Sequence, residues 1–345
     1  MRKPTSRGLF LRSCNLGRLP QRLCGEKLGL GLFNTIEGDH LTVGKRGNGV
    51  KEMIRLSFVG SGTMAEAMIK IAIESGVALP QHIVASGPRK ERGQDLCARY
   101  SVMACTDNRQ ALVVDGDEVD VVVLSVKPQV LPTVLVELRG LIPSRALVLS
   151  IVAGMKMDTL ADGLAHAAVV RAMPNTPAQI GQGMTVWTST PAVSDLQRGR
   201  AQEILQAMGE EIYVRDENQL DMATAVSGTG PTYVFLVMEA LTDAAVHLGF
   251  SRRVARQLVS QTVLGSVLFT RQSGRHLAEL RNMVTSPGGT SADAIYQLDK
   301  GGLRTVLSKA VWAAYQKSVR LGVTANGMAS FPVSLSNDGP VESGE

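Results

Sequence analysis

Residues 282–291 read Asn-Met-Val-Thr-Ser-Pro-Gly-Gly-Thr-Ser and lie between two helical patterns. Pro287 ends the preceding structure, Gly288 and Gly289 leave their N–H groups bare, and Thr290 and Ser291 stand where the next helix should start. Successive free N–H groups at a helix N-terminus seat a carboxylate or a phosphate. Alone, the stretch also suits a plain loop with an N-cap. A second motif far upstream changes the balance. Residues 54–59 form a buried-strand pattern, Gly60-Ser61-Gly62-Thr63-Met64-Ala65 follows at once, and 63–73 is amphipathic at helical spacing. This is the strand, Gly-x-Gly-x-x-Ala turn and helix of a dinucleotide fold. Gly60 permits the tight turn, Gly62 lets a pyrophosphate reach the backbone, and Ala65 packs the helix on the sheet.

Other turns carry the same kind of chemistry. The second strand, 83–86, ends in Ser86-Gly87-Pro88-Arg89-Lys90, with Arg92 beyond, and not in the Asp or Glu that grips an NAD ribose. A hydroxyl and cations suit a 2′-phosphate, so NADPH is expected ahead of NADH. Later strands end in Ser125-Val126-Lys127-Pro128, in Ala153-Gly154 and in Met173-Pro174-Asn175-Thr176-Pro177. Each could be ordinary turn chemistry, but together they fit a nicotinamide and substrate pocket at the carboxyl ends of parallel strands.

The elements that must position these turns follow from periodicity. Strand and helix alternate from Met53, with continuous apolar strands at 119–126 and 146–152 and further strands at 168–173 and 184–188. Helical patterns fill the gaps at 130–141 and 195–208. The character changes around 211–219, after which 220–248, 252–271, 277–284, 292–298 and 303–321 are all helical in period. Ser227-Gly228-Thr229-Gly230-Pro231 interrupts the first of these. The expected organisation is a basic leader at 1–52, an NADP-binding domain at 53–215, a helical substrate and dimerisation domain at 216–322, and a disordered tail at 323–345.

Composition narrows the function. The net charge of +5 is concentrated in the leader, where ten Lys or Arg face four Asp or Glu. The other 293 residues hold 26 and 27, a balance of −1, so no nucleic-acid partner is implied. No apolar run reaches the roughly 18 residues of a membrane span. Cys14, Cys24, Cys97 and Cys105 show no paired metal spacing, and no metal is expected. Free thiols fit a reducing, cytoplasmic setting. The Arg-rich leader reads as an extension ahead of Met53, with an organelle transit segment as the alternative.

With these residues in view, the chain resembles the pyrroline-5-carboxylate reductase family from Met53 to Gly322. The resemblance rests on Val59-Gly-Ser-Gly-Thr-Met-Ala65, Ser125-Val-Lys-Pro128, Pro174-Asn-Thr-Pro177, Ser227-Gly-Thr-Gly-Pro231 and Val284-Thr-Ser-Pro-Gly-Gly289 in this order. It implies an α/β chain: a Rossmann-type domain followed by an all-α dimerisation domain, 6-phosphogluconate-dehydrogenase-like in its C-terminal half. It also implies an obligate homodimer with interlocking helical domains, with assemblies up to a decamer open. Cofactor contacts are expected at Gly60, Ser61, Gly62, Thr63, Met64, Ser125, Val126, Lys127, Pro128, Ala153 and Gly154, with Ser86, Arg89 and Asn108 near the adenosine ribose and its phosphate. Substrate contacts are expected at Asn175, Val284, Ser286, Gly288, Gly289 and Thr290, and catalysis at Ser291. The family usually has Thr where Ser291 stands; a hydroxyl is kept but the methyl that restricts its rotamer is lost.

The implied substrate is a five-membered cyclic imine bearing a carboxylate. A protonated imine already accepts hydride well, which fits the scarcity of histidine and of Lys–Asp or His–Glu pairs in the loops. Placement of the imine carbon would then dominate, an effect worth roughly 7–11 kcal/mol. Ser291 would hydrogen-bond the ring nitrogen. A 3-hydroxy-acid dehydrogenase would want a Lys or His on the first long helix of the second half, where Phe235-Leu-Val-Met-Glu-Ala240 offers only Glu239. A reductase of another cyclic imine and a non-catalytic nucleotide sensor are the remaining alternatives, and the intact Ser-Pro-Gly-Gly-Thr-Ser loop counts against the sensor.

Overall fold

The computed structural model of the protein describes residues 53–329, with side chains through Gly322. The leader expected at 1–52 and residues 330–345 lie outside the described residues. The strands are β1 (Leu56–Val59), β2 (Ile83–Ser86), β3 (Met103–Cys105), β4 (Val113–Val114), β5 (Asp117–Glu118), β6 (Val121–Leu124), β7 (Leu147–Ser150), β8 (Val169–Met173), β9 (Gly183–Ser189) and β10 (Gly209–Tyr213). Eight of them form one sheet in the order β3-β2-β1-β6-β7-β8-β9-β10, and β4 and β5 pair as a separate hairpin.

Buried strands of this sheet alternate between two cores. Val121 and Val123 join the first core, and Val122 and Leu124 the second. The first face is covered by α1 (Thr63–Glu74), α2 (Lys90–Tyr100) and α5 (Asp195–Ala207), through Met68, Ile69, Leu96, Ile204 and Leu205. The second is covered by α3 (Leu131–Leu138) and α4 (Met157–Leu164), through Leu131, Leu135, Leu138, Leu160 and Leu164. Helices on both faces explain why the strands read as continuous apolar runs.

The expected parallel sheet holds from β3 to β8 and fails beyond it. β9 runs antiparallel to β8, and β10 is parallel to β9. Only a short 3-10 turn, Thr176–Ile180, links β8 to β9, too little chain to return for a parallel pair. α5 supplies that return between β9 and β10. β10 itself falls where the sequence showed only a change of character.

The second half comprises α6 (Gln219–Ala223), α7 (Gly230–His247), α8 (Arg252–Ser273), α9 (Leu277–Met283), α10 (Thr290–Lys300) and α11 (Leu303–Ala329). The expected interruption at Ser227–Pro231 is a π-helical turn, Thr224–Gly228, in which Thr229 N–H donates to Thr224 O at 2.8 Å. Hydroxyls satisfy the loosened ladder, with Thr224 Oγ1 on Leu220 O and Ser227 Oγ on Ala223 O. α11 continues to Ala329, so the expected tail boundary at 323 falls inside a helix.

The two halves are joined by a buried polar cluster. Arg171, in β8 and 3% exposed, lies 2.9 Å from Glu217 and 3.2 Å from Asp221. Ser318 Oγ of α11 donates to Asp221 at 2.9 Å, and Met157 N–H donates to Glu217 at 2.8 Å. A buried cation must be paired, and both partners of this sheet-borne arginine come from the helical half.

Candidate active site

The carboxyl ends of β2, β1, β6, β7 and β8 lie side by side, because the strand order places them so. The turns expected to bind cofactor therefore share one rim. Gly60 has φ +104°, and a Cβ there would lie 2.9 Å from Ser125 carbonyl and Val126 Cγ1 atoms. Only glycine fits. Ser125 Oγ donates to Gly60 O at 2.8 Å, and Gly60 N–H donates to Ser86 O at 3.0 Å, so three strand ends hold the loop. Nothing lies within 4 Å of the place a Gly62 Cβ would take. Gly62 is also the N-cap of α1 and offers no side-chain cap, which leaves the first-turn N–H groups of Thr63 and Met64 open. Open backbone and a positive helix end are what a pyrophosphate requires. The residues present fit a dinucleotide.

Of the cations after β2, Arg92 is committed elsewhere. It donates to Ser61 O at 3.0 Å and pairs with Glu66 and Asp95. Burial pushes the Glu66 carboxyl up, but hydrogen bonds from Arg92 and Tyr100 and the charges of Arg92 and Arg99 outweigh it and hold it below 4.5. Arg89 and Lys90 are exposed and line a pocket of about 380 Å³ with Gln94, Cys97 and Thr106. Asn108 sits beside Ser86, whose hydroxyl donates to its Oδ1 at 2.7 Å. Lys127 is exposed and Pro128 half-buried beyond the β6 end. Ala153 is half-buried at the β7 end, whereas Gly154 is packed against Gly322 of α11.

The side chain of Asn175 is engaged within the chain. Its Nδ2 donates to Ser227 O at 3.2 Å, and its Oδ1 accepts from Met184 N–H at 2.9 Å. It ties the turn after β8 to the π-helical turn.

The loop between α9 and α10 is a tight turn that leads directly into a helix. Gly289 N–H donates to Ser286 O at 3.0 Å, closing a turn with Pro287 and Gly288 at its centre. Gly288 has φ +69°, the left-handed value that this turn type needs after proline. A Cβ on Gly289 would meet Ser286 Oγ at 2.5 Å. The N-cap of α10 is Gly289, so Thr290 and Ser291 already lie in the first turn with their N–H groups open. Among the described residues the Ser291 hydroxyl has no hydrogen-bond partner, and it does not cap the helix. The sequence pattern, which started this helix at 292, left that role open.

Within one chain this loop stays open to solvent: Val284 is 66% exposed, and Ser286 and Thr290 are exposed as well. α10 rests on α11, and neither α9 nor α10 packs extensively on the strand ends. Large apolar side chains of the helical half are also uncovered, among them Leu236 at 65% and Trp312 at 61%. Glu137 and Arg171 are polar residues at or near the rim that the sequence reading passed over. An arginine inside the apolar run of β8 was the available signal for the second. Among the described residues no group of three or more His, Cys, Asp or Glu could hold a metal ion, and no helix is long and apolar enough to cross a membrane.

Comparison with known proteins agrees with this geometry. Residues 217–321 match the family model described as pyrroline-5-carboxylate reductase dimerisation, and residues 55–154 match that described as NADP oxidoreductase coenzyme F420-dependent. A pyrroline-5-carboxylate reductase of Synechocystis is 40% identical over 78% of this chain and 98% of its own length. One from Arabidopsis thaliana is 33% identical over 78% of this chain and 96% of its own. The Coxiella burnetii enzyme superposes with a TM-score of 0.70 at 34% identity, covering 78% of this chain and 99% of that one. The Plasmodium falciparum pyrroline carboxylate reductase, solved with NADP bound, gives 0.72 at 29% identity, covering 79% and 100%.

Proposed function

Because the chain belongs to the pyrroline-5-carboxylate reductase family, we propose that it reduces 1-pyrroline-5-carboxylate to L-proline with NADPH, the last step of proline biosynthesis. NADH is the lesser alternative. The observation that carries this reading is the Ser286–Ser291 turn, with open N–H groups for a carboxylate and a free hydroxyl in the same first turn of α10. The cofactor supplies the hydride. The turn from Ser286 to Thr290 holds the carboxylate and so orients the ring. Ser291 hydrogen-bonds the ring nitrogen, which keeps its proton as the imine carbon takes up hydride. No general acid is needed, because the reacting nitrogen is protonated beforehand. A 3-hydroxy-acid dehydrogenase is disfavoured: α7 carries no Lys, and its His247 lies in the last turn.

The reading includes a homodimer, with a decamer as a larger form. It is supported by the uncovered apolar faces of α7 and α11 and by the exposed substrate loop, which a second copy would enclose. The free thiols of Cys97 and Cys105 support a reducing, cytoplasmic setting. The test is NADPH oxidation with pyrroline-5-carboxylate beside its six-membered homologue. A protein inert with both overturns the proposal. Leu236→Glu should lower the assembly state in light scattering and abolish turnover together.

A further inference from the structure

Helix α11 is mounted on the rest of the chain at two points of one face. Ser318 and Gly322 are four residues apart, about one helical turn, and so lie one above the other. Gly322 meets Gly154 of the β7 rim turn backbone to backbone. Ser318, 2% exposed, donates its hydroxyl proton to Asp221 Oδ1 at 2.9 Å. Asp221 is 8% exposed and accepts from Arg171 Nη2 on the same oxygen at 3.2 Å. One buried carboxylate thus ties α11 to β8. Apolar packing is non-directional and leaves a helix free to slide or roll, whereas a hydrogen bond to a fixed oxygen sets its height and rotation.

The mounting matters for what α11 carries. α10 rests on α11 and is joined to it by Gly301 and Gly302 alone. Neither α9 nor α10 packs extensively on the strand ends. The Ser286–Ser291 turn is therefore placed against a cofactor rim by the seating of α11 and not by contacts of its own. In a homodimer this holds whichever copy's rim the turn serves. We propose that Ser318 and Asp221 are positioning residues for imine reduction, holding α11, and with it the substrate turn, at the approach that hydride transfer requires. Both act at a distance, through the helix. The inference rests on the imine-reductase reading given above.

The test is turnover of 1-pyrroline-5-carboxylate by the full chain, Ser318→Ala and Asp221→Asn, with NADPH and with NADPH deuterated at the transferred position. Calorimetry supplies the Kd for NADP+, and thermal unfolding the midpoint. Thr190→Ala is the control. It removes a hydroxyl that donates to Ala167 O at 2.7 Å, in a residue 9% exposed beside the start of β8. Ser318→Ala should lower kcat about three- to tenfold, since small misplacements are costly, and leave the Kd for NADP+ within about twofold. The isotope effect on kcat should hold or rise, because hydride arrival is the step that slows. Asp221→Asn keeps the shape of the side chain and should show the same split; it decides the matter if Ser318→Ala does not fold. Thr190→Ala should lower the midpoint and leave kcat and the isotope effect unchanged. An unchanged kcat in Ser318→Ala, a fall in its isotope effect, or an equal loss of kcat in Thr190→Ala overturns the positioning role. A parent chain that binds NADP+ but reduces no imine overturns the proposed function, and this inference with it.

Discussion

Gly322 of α11 and Gly154 of the β7 rim turn occupy each other's missing side-chain space. A Cβ on Gly322 would lie 2.5 Å from Gly154 O, and one on Gly154 would lie 2.8 Å from Gly322 N. The last helix therefore docks backbone to backbone on a turn of the cofactor rim, and the helical half is set relative to that rim by two absent methyl groups. Gly322→Ala should force α11 away and cost about 1–3 kcal/mol of stability. Gly199→Ala, in the exposed part of α5 with nothing within 4 Å, is the control and should be neutral or stabilising by up to about 1 kcal/mol. Urea midpoints of the two variants decide the matter, and equal midpoints would show that the approach imposes no constraint.

Arg89 and Lys90 are the exposed cations after β2 and line a cavity with Gln94, Cys97 and Thr106. Arg89→Ala should raise KM for NADPH several-fold and that for NADH little, since a charge-assisted contact is lost only where there is a 2′-phosphate. Equal effects on both cofactors would remove Arg89 from phosphate recognition.

Ser291 lies inside the first turn of α10, with Gly289 as the N-cap. A loss of helix capping therefore cannot account for any effect of Ser291→Ala. The variant should keep its unfolding midpoint and lose about three- to tenfold in kcat, the worth of one hydrogen bond that strengthens as the ring nitrogen rehybridises. Ser291→Thr should retain activity, because the added methyl narrows the rotamer choice. A kcat unchanged in Ser291→Ala would end the catalytic assignment.

Glu66 ties α1 to α2 through Arg92, Arg99 and Tyr100. Its carboxyl is held below the ordinary 4.5 in the folded protein, so its stabilisation is fully present above that value. It is lost as pH falls through the lowered folded value, where native and unfolded forms both become protonated. Thermal midpoints of the protein and of Glu66→Gln, recorded from neutral pH down into the acid limb, should converge there. Parallel curves would mean that Glu66 is not linked to acid unfolding.

Much of this fold is written locally. Gly60 and Gly62 sit between a buried strand and an amphipathic helix, and both obligations are nearest-neighbour effects of backbone geometry and period. Pro287, Gly288 and Gly289 likewise define their own turn, because a type II turn needs only a proline and then a left-handed residue. Even the β4–β5 hairpin was legible in Asp115-Gly116, where φ is +51° and +81°, although the reading by period passed over so short a pair.

What only the tertiary structure decided depends on groups far apart in the chain. The direction of β9 follows from the shortness of the link before it and the place left beside β8, neither of which is a property of its own residues. β10 carries two acids in five residues and reads as surface; it becomes a strand because Glu211 accepts from Gln202 at 2.8 Å and because Gly209 can lie against Gly183. The partners of Arg171 come from residues 46 and 50 positions away. Asn108, which accepts from Ser86 on β2, is itself held by Glu137 on α3, 29 positions away. Sequence by itself determined which backbone turns could grip an anion, since that is local stereochemistry. Which side chains remain free to act there was decided by long-range hydrogen bonding, because each donor proton can be spent once and its acceptor is chosen by the fold.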